Sequence, residues 1–337
     1  MIYLGDCRDN IQVVAEQWRL RLYEFMFEKR KRKDGSAYGL CYCDRVIRRV
    51  KKSGSDDVDG FEKEIECFKT HFREIVLADE DGLKNWANED VLKNWPNKKV
   101  SMHMRSFMNN LYEAFTQKET NGISNAHYFF RELNIRTCPY CNRHYTFTLD
   151  DGFVKVSPEY DHFYDKSHYP LLAVSFYNLV PSCHTCNHVK GTKTAKINPY
   201  FSGFKSKFEL QDDTGERMSP DEIVNQKKVG KIGFGKVDNV SQAEAEQANI
   251  KTFGLQGLYE MHDDYINEIV EKVIAYNPTV RQTLVDAFQD QAYSPQQVYD
   301  FVWGKYLSEA QYEKKPLSKL TRDILEQLGM LPKDDIQ

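Results

Sequence analysis

The sequence predicts an α+β protein: a small core of roughly residues 126–206, rich in Cys, His, Asn and Tyr, flanked by mainly α-helical N- and C-terminal regions. Apolar residues recur three and four apart in the first 125 residues and again from Ser241 onward, the period of a helix burying one face. Between those stretches the helical period fades. Tyr145-Thr146-Phe147-Thr148-Leu149 alternates instead, and two Cys-x-x-Cys pairs bracket the segment.

A chain of 337 residues has room for two or three domains, divided here as 1–125, 126–206 and 207–337. Hydrophobic residues at 41% and charged residues at 28% fit a soluble globular protein with a real core. The formal net charge of -4 excludes a generic cationic nucleic-acid binder, so any such contact needs local basic surface. No segment approaches the roughly 18 apolar residues that span a bilayer, and Met1 to Asn10 lacks a secretory apolar region. The expectation is a cytoplasmic protein with no membrane partner. Eight cysteines in a reducing compartment argue against a disulfide framework, and the two close pairs argue for metal.

In the N-terminal region, Ile11, Val14, Trp18, Leu22 and Phe25 mark the first helix. The run Lys29-Arg30-Lys31-Arg32-Lys33 and the group Arg45, Arg48, Arg49, Lys51 and Lys52 read equally as solvated helix ends or as phosphate-contacting surface. Ser53 to Asp57 reads as a loop, and further helices are expected over Phe61 to Leu77 and Met102 to Phe115. In the middle segment, Tyr145 to Leu149, the turn Asp150-Asp151-Gly152 and Phe153 to Val156 predict a hairpin.

Residues 207–240 read as a loop-rich connection with a short helix starting at Ser219-Pro220-Asp221-Glu222. The glycines at 230, 233 and 235 read as turns, because no Gly-Lys-Ser/Thr ending follows them. Leu255, Leu258, Tyr259, Tyr265, Ile266, Ile269 and Val273 resume the helical pattern. The last helices are expected at Val280 to Phe288, Pro295 to Tyr312 and Leu317 to Leu328.

Cys138-Pro-Tyr-Cys141 and Cys183-His-Thr-Cys186 are two knuckles that together give tetrahedral zinc four thiolates. Four protein ligands leave no open position, so this zinc is structural and its binding energy becomes folding energy. His144 and His184 lie near the pairs as substitute ligands. Cys7, Cys41, Cys43 and Cys67 read as packing thiols.

Between the knuckles stand Asp161-His162 and Asn178-Leu179-Val180. Asn187 directly follows the second knuckle, and Lys190 comes three residues later. Phosphodiester hydrolysis needs an activated water and a cation to stabilise charge on the phosphate and the leaving oxygen. Mg²⁺ or Mn²⁺ prefers oxygen ligands, which Asp161 and Asn187 can supply as carboxylate and amide carbonyl. His162 suits a general base on water, because an imidazole titrates near neutral pH. Neighbouring side chains of a strand point to opposite faces, so a strand ending in Asp161-His162 must bend or bulge for both to serve one site. A helix beginning at Asn187 puts Lys190 one turn later, where it could contact a phosphate. His188 is a competing ligand for the position of Asn187. Basic residues outnumber acidic ones over 136–206, so an acidic chain carries a mildly basic segment.

The order Asp-His, Asn-Leu-Val, Cys-x-x-Cys-Asn and Lys, over about residues 138–196, resembles the HNH or ββα-metal nucleases whose small core is stapled by a four-Cys zinc. The resemblance implies catalytic roles for Asp161, His162, Asn178, Asn187 and Lys190. For Asn178 the implied role is tying down the loop that carries the base. Many members have His where this chain has Asn187. The run from Asp161 to Ala173, continued through Asn178 and Cys186, is similar to the HNH subunit of Septu-type and retron-associated anti-phage systems, the PtuB-like group. Leu258-Tyr259-Glu260-Met261-His262 and its following helix resemble the C-terminal part of that group. Members act beside an ATPase subunit, and this sequence has no Walker A loop, so the resemblance implies a separate ATPase partner. The N-terminal helices would then serve as a docking or regulatory module. The substrate read from this pattern is DNA. The alternatives are RNA such as tRNA, or a non-catalytic zinc module that only binds a partner or nucleic acid.

Overall fold

The computed structural model describes residues 1–31, 35–54, 57–120, 123–226, 230–276, 278–289 and 293–331. Trp18 organises the N-terminal helices. Helix α1, Ile11–Phe27, buries Ile11, Val14, Trp18, Leu22 and Met26 along one face. Trp18 meets Phe115 and Phe129 edge-on, with ring centroids 4.8 and 4.9 Å away, a geometry worth about 0.5–1.5 kcal/mol per pair beyond burial. Its indole N–H donates to the Val174 carbonyl at 2.9 Å, which fastens these helices to the middle of the chain.

Around it pack α2, Tyr42–Lys52, α3, Val58–Thr70, α4, Met102–Thr116, and α5, Asn125–Leu133. Each start that has a side-chain cap uses it to hold an otherwise unpaired N–H. Cys41 caps α2, Ser101 caps α4 and Ser124 caps α5. The helix expected over Phe61 to Leu77 is interrupted at His71, and a short helix, Phe72–Val76, follows. The break lets Phe72 pack edge-on against Tyr23 and Phe27, at 5.4 and 5.6 Å. Ser53 and Gly54 form a turn, whereas Ser55 and Asp56 of the expected loop lie outside the described residues. So do Arg32 and Lys33 of the first basic run.

The predicted hairpin is shorter than expected. Leu149–Asp150 pairs with Lys155–Val156, and Tyr145 contributes only a bridge to Thr137. Thr146 is drawn inward instead, its N–H donating to Arg136 at 2.8 Å and its hydroxyl to Ile135 at 3.0 Å. Strand β1, Glu159–His162, runs antiparallel to β2, Leu179–Ser182, and helix α6, His184–Lys190, packs back onto β1.

Residues 207–240 hold more order than a loop-rich connection. Strand β3, Phe208–Gln211, pairs antiparallel with β4, Lys231–Phe234. The glycines there are not turns. Gly233 lies inside β4, and a Cβ on Gly230 would come within 2.0 Å of the Gln211 carbonyl oxygen. Glycine allows the close approach of two backbones that the sequence pattern alone does not reveal. The short helix Pro220–Gln226 forms as expected, with Ser219 and Glu222 exchanging capping hydrogen bonds.

Helices α7, Val240–Phe253, and α8, Asp263–Ala275, follow, then Pro278–Gln289 and Pro295–Trp303. The helix expected to reach Tyr312 stops at Trp303, because Gly304 adopts a left-handed φ of 64°. A 3₁₀ segment, Glu309–Lys314, leads to α9, Ser318–Gln327. The start of the chain is tied to the middle, with Ile2 donating to Pro139 at 2.9 Å and Leu4 to Pro199 at 2.8 Å. Among the described residues, no helix is long and apolar enough to cross a membrane.

Candidate metal and phosphodiesterase site

The two knuckles converge. The ligand atoms of Cys138, Cys141, Cys183 and Cys186 all lie within 4.8 Å of one another, and all four side chains are buried. Four sulfurs around tetrahedral zinc, each at about 2.3 Å, stand just under 4 Å apart. The 4.0 Å between Cys141 Sγ and Cys183 Sγ matches that spacing, so the cluster could hold a zinc ion. Hydrogen bonds from its neighbours hold the Cys141 thiol far below its ordinary value, whereas burial first raises Cys138 and hydrogen bonds from the other thiols raise Cys186, so without a metal the four sulfurs share protons among themselves.

Local structure makes each knuckle. The Cys138 carbonyl accepts from Asn142 N at 2.7 Å, and Asn142 takes the left-handed φ of 48° that closes the turn. Cys183 is the N-cap of α6, and its sulfur accepts from Cys186 N at 3.5 Å. The helix therefore begins at His184, one turn earlier than expected, and Asn187 lies in its middle. Neither substitute histidine joins the four thiols. His144 meets the first knuckle through its carbonyl, which accepts from Cys138 N at 3.0 Å, and His184 Nδ1 pairs with Glu159 at 2.8 Å. The ring of His188, the competitor for the position of Asn187, stacks beside His184.

Strand β1 divides the remaining candidates between its faces. Residues 159–162 pair one to one with 182–179, without a bulge. Glu159 and Asp161 face α6, while Tyr160 and His162 face away from it. On the α6 side, Lys190 Nζ donates to Asp161 Oδ1 at 3.0 Å and to the His162 carbonyl at 2.6 Å. Asp161 Oδ2 accepts from the Tyr140 hydroxyl at 2.7 Å. Burial raises the Asp161 carboxyl, and Lys190 and Tyr140 offset only part of that cost. Asn187 donates to Glu159 Oε2 at 2.6 Å rather than contacting Asp161. Burial would raise Glu159, but the hydrogen bonds from Asn187 and His184 outweigh it and leave the carboxyl lowered.

On the other face, His162 Nε2 lies 3.0 Å from the Ala173 carbonyl, which accepts the ring N–H of one tautomer, and the ring packs edge-on against Tyr112 at 4.7 Å. Burial pushes the imidazole down to about 3, so it is neutral near pH 7. Asn178 is fully buried and holds the loop that carries Ala173. Its Oδ1 accepts from Tyr164 N at 2.7 Å, and its Nδ2 donates to the carbonyls of Tyr164 and Leu172, both at 3.0 Å.

The fold thus brings together Asp161, Lys190 and the His162 backbone, and it sets Asn187 on Glu159, one step along the same strand face. Part of this chain is similar to the Septu protein PtuB of Bacillus thuringiensis. The two are 38% identical over 68 residues, which is 20% of this chain and 24% of that relative. The chain therefore spans about a quarter of the length of the curated relative it matches. No family model matches the chain, and no solved structure matches it significantly.

Sequence reasoning missed Tyr140 and Glu159. Tyr140 lies between the knuckle cysteines, stacks on Phe253 at 4.4 Å and reaches Asp161, so the thiol cluster and the carboxylate are mechanically joined. Its signal was an aromatic residue inside a Cys-x-x-Cys turn, where no packing requirement of the turn itself calls for one. Glu159 could have been found from strand periodicity, since it stands two residues before Asp161. The segment Leu258 to His262 braces the first knuckle. Tyr259 donates to the Cys141 carbonyl, and His262 accepts from Arg143 at 2.9 Å.

Proposed function

We propose that the chain is a metal-dependent phosphodiester hydrolase of the HNH type, acting on DNA as an effector of anti-phage defence beside a separate ATPase. The observation that carries the reading is the clamp on His162. One ring nitrogen is held by the Ala173 carbonyl, and the loop bearing that carbonyl is held by the three hydrogen bonds of Asn178. When Nε2 carries the proton donated to Ala173, Nδ1 is left with its lone pair, and it can take a proton from water once substrate and its water relieve the burial that lowers the imidazole. A purely structural zinc segment does not require that arrangement.

The donor chemistry fits a hard cation. Glu159 and Asp161 on β1 and Asn187 on α6 bring oxygens to one strand–helix face. Asp161 and Asn187 would hold Mg²⁺ or Mn²⁺, with Glu159 beside them. Such an ion supplies positive charge to the phosphate oxygens and the leaving oxygen. Lys190 pairs with Asp161, so that carboxylate would help to hold the ion only where the ammonium leaves it. The released ammonium would then be available to a phosphate. Tyr140 keeps the other oxygen of Asp161 fixed. The partial similarity to a Septu protein supports the defence role and a partner in a multi-protein system.

The test is cleavage of DNA and RNA panels by wild type and His162→Ala, with Mg²⁺ or Mn²⁺, alone and with a co-encoded ATPase. The expected outcome is metal-dependent cleavage of DNA, lowered about 10²–10⁴-fold in the variant, with zinc content unchanged. Cleavage of RNA alone would replace the substrate. One observation favours a non-catalytic reading: Asp161 is only 2% exposed and already paired with Lys190. That reading predicts no cleavage under any of these conditions.

A further inference from the structure

A cavity of about 800 Å³ opens among the N-terminal helices, lined by α1, α2, α4 and the start of α5. No residue of the zinc cluster or of the β1–α6 face lines it. Its volume lies in the range of small-molecule sites, about 300–1,000 Å³.

Its walls combine an aromatic surface with fixed cations. Phe25 and Tyr42 stack nearly parallel, with centroids 4.9 Å apart and an interplanar angle of 30°. Arg45 and Lys118 flank that pair, 5.6 Å from the Tyr42 ring and 5.2 Å from the Phe25 ring. Arg45 is steadied by its bond to the Cys41 carbonyl at 3.4 Å. Arg21 is held from behind, its guanidinium 3.7 Å over the Tyr128 ring and its Nη1 donating to the buried Asn125 at 3.3 Å. Lys29 adds a fourth cation against the carboxylates of Glu24 and Glu28, so the lining is net positive in a chain of net charge -4. Arg48 and Arg49 extend the positive surface along the exposed side of α2.

We propose that this cavity binds a nucleotide unit, with its base against the Phe25–Tyr42 pair and its phosphate among Arg21, Arg45 and Lys118. Aromatic stacking accepts any base, and guanidinium groups suit phosphate oxygens. The pairing of the two features selects this ligand over a simple anion, which has no use for the rings, and over an apolar molecule, which has no use for the cations. A nucleotide of a nucleic-acid strand and a free nucleotide share this chemistry.

The experiment is fluorescence anisotropy with a labelled short single-stranded oligonucleotide and a labelled mononucleotide, without added divalent metal so that no cleavage occurs. Where the cavity variants weaken binding of the oligonucleotide alone, the cavity is assigned to a strand, and where they weaken binding of both probes it is assigned to any nucleotide. Tyr42→Leu and the double variant Arg45→Ala/Lys118→Ala should each weaken binding by about tenfold or more. Lys29 is exposed, so Lys29→Glu should melt like wild type and weaken binding in the same direction. His162→Ala should bind as wild type does, which separates this site from the proposed hydrolytic one. The idea is overturned if wild type binds neither probe, or if all cavity variants that melt like wild type bind within about twofold of it.

Discussion

Lys190 Nζ sits 3.0 Å from Asp161 Oδ1, with both side chains closed to solvent and the same ammonium bonded to the His162 carbonyl. A desolvated pair of this kind gains little over an apolar pair, but the loss of one partner strands a charge. Lys190→Met should therefore destabilise the protein by about 3–5 kcal/mol, measured by urea denaturation. Lys190→Met combined with Asp161→Asn should recover most of that loss while remaining inactive in cleavage. If the single variant is as stable as wild type, the pair does not hold this face together.

Asn178→Ala removes an acceptor from Tyr164 N and two donors from carbonyls in a site without solvent. A cost of about 1–3 kcal/mol is expected from the groups left unpaired. The cleavage rate should fall more than substrate affinity, because the loop no longer holds His162. Separate measurement of kcat and KM checks this, and an unchanged kcat would count against the clamp.

Removal of zinc should act on folding. The protein should carry one zinc per chain, and Cys183→Ser should lose it together with the ordered circular dichroism of the central segment. Chelation should make Cys138, Cys141, Cys183 and Cys186 reactive toward an alkylating reagent. Cys7 should stay protected, because burial pushes its thiol up to about 12, and Cys43 is likewise raised. Mass spectrometry of alkylated peptides reads both outcomes in one sample, and early modification of Cys7 would contradict the packing described here.

Gly230→Ala tests the strand pairing of the C-terminal region. An added Cβ would meet the Gln211 carbonyl oxygen at 2.0 Å and Met218 Sδ at 2.6 Å. Overpacking of this sort costs about 1–3 kcal/mol, which should appear as a lower melting temperature. Gly257→Ala, where nothing lies within 4 Å, is the matched control and should be neutral or stabilising.

Periodicity and chemistry carried much of this protein on their own. Helix α1 follows from apolar residues three and four apart, since only one face of a helix can be buried at once. The four-thiol cluster follows from two Cys-x-x-Cys turns, because a single tight turn can offer two thiolates to one metal. Other features were illegible because they depend on what arrives from elsewhere in the chain. The approach of Gly230 to the Gln211 carbonyl and the pairing of Gly233 with Glu209 are contacts between distant backbones, and the stop at Gly304 is a local choice of φ that competes with helical spacing. The partners of the candidate site belong to the same class. Whether Lys190 meets a phosphate or Asp161, and whether Asn187 meets Asp161 or Glu159, depends on the register of β1 against β2 and on the packing of α6 across them. A side chain's residue type sets what it can bind, and the tertiary structure alone sets which group stands within 3 Å of it.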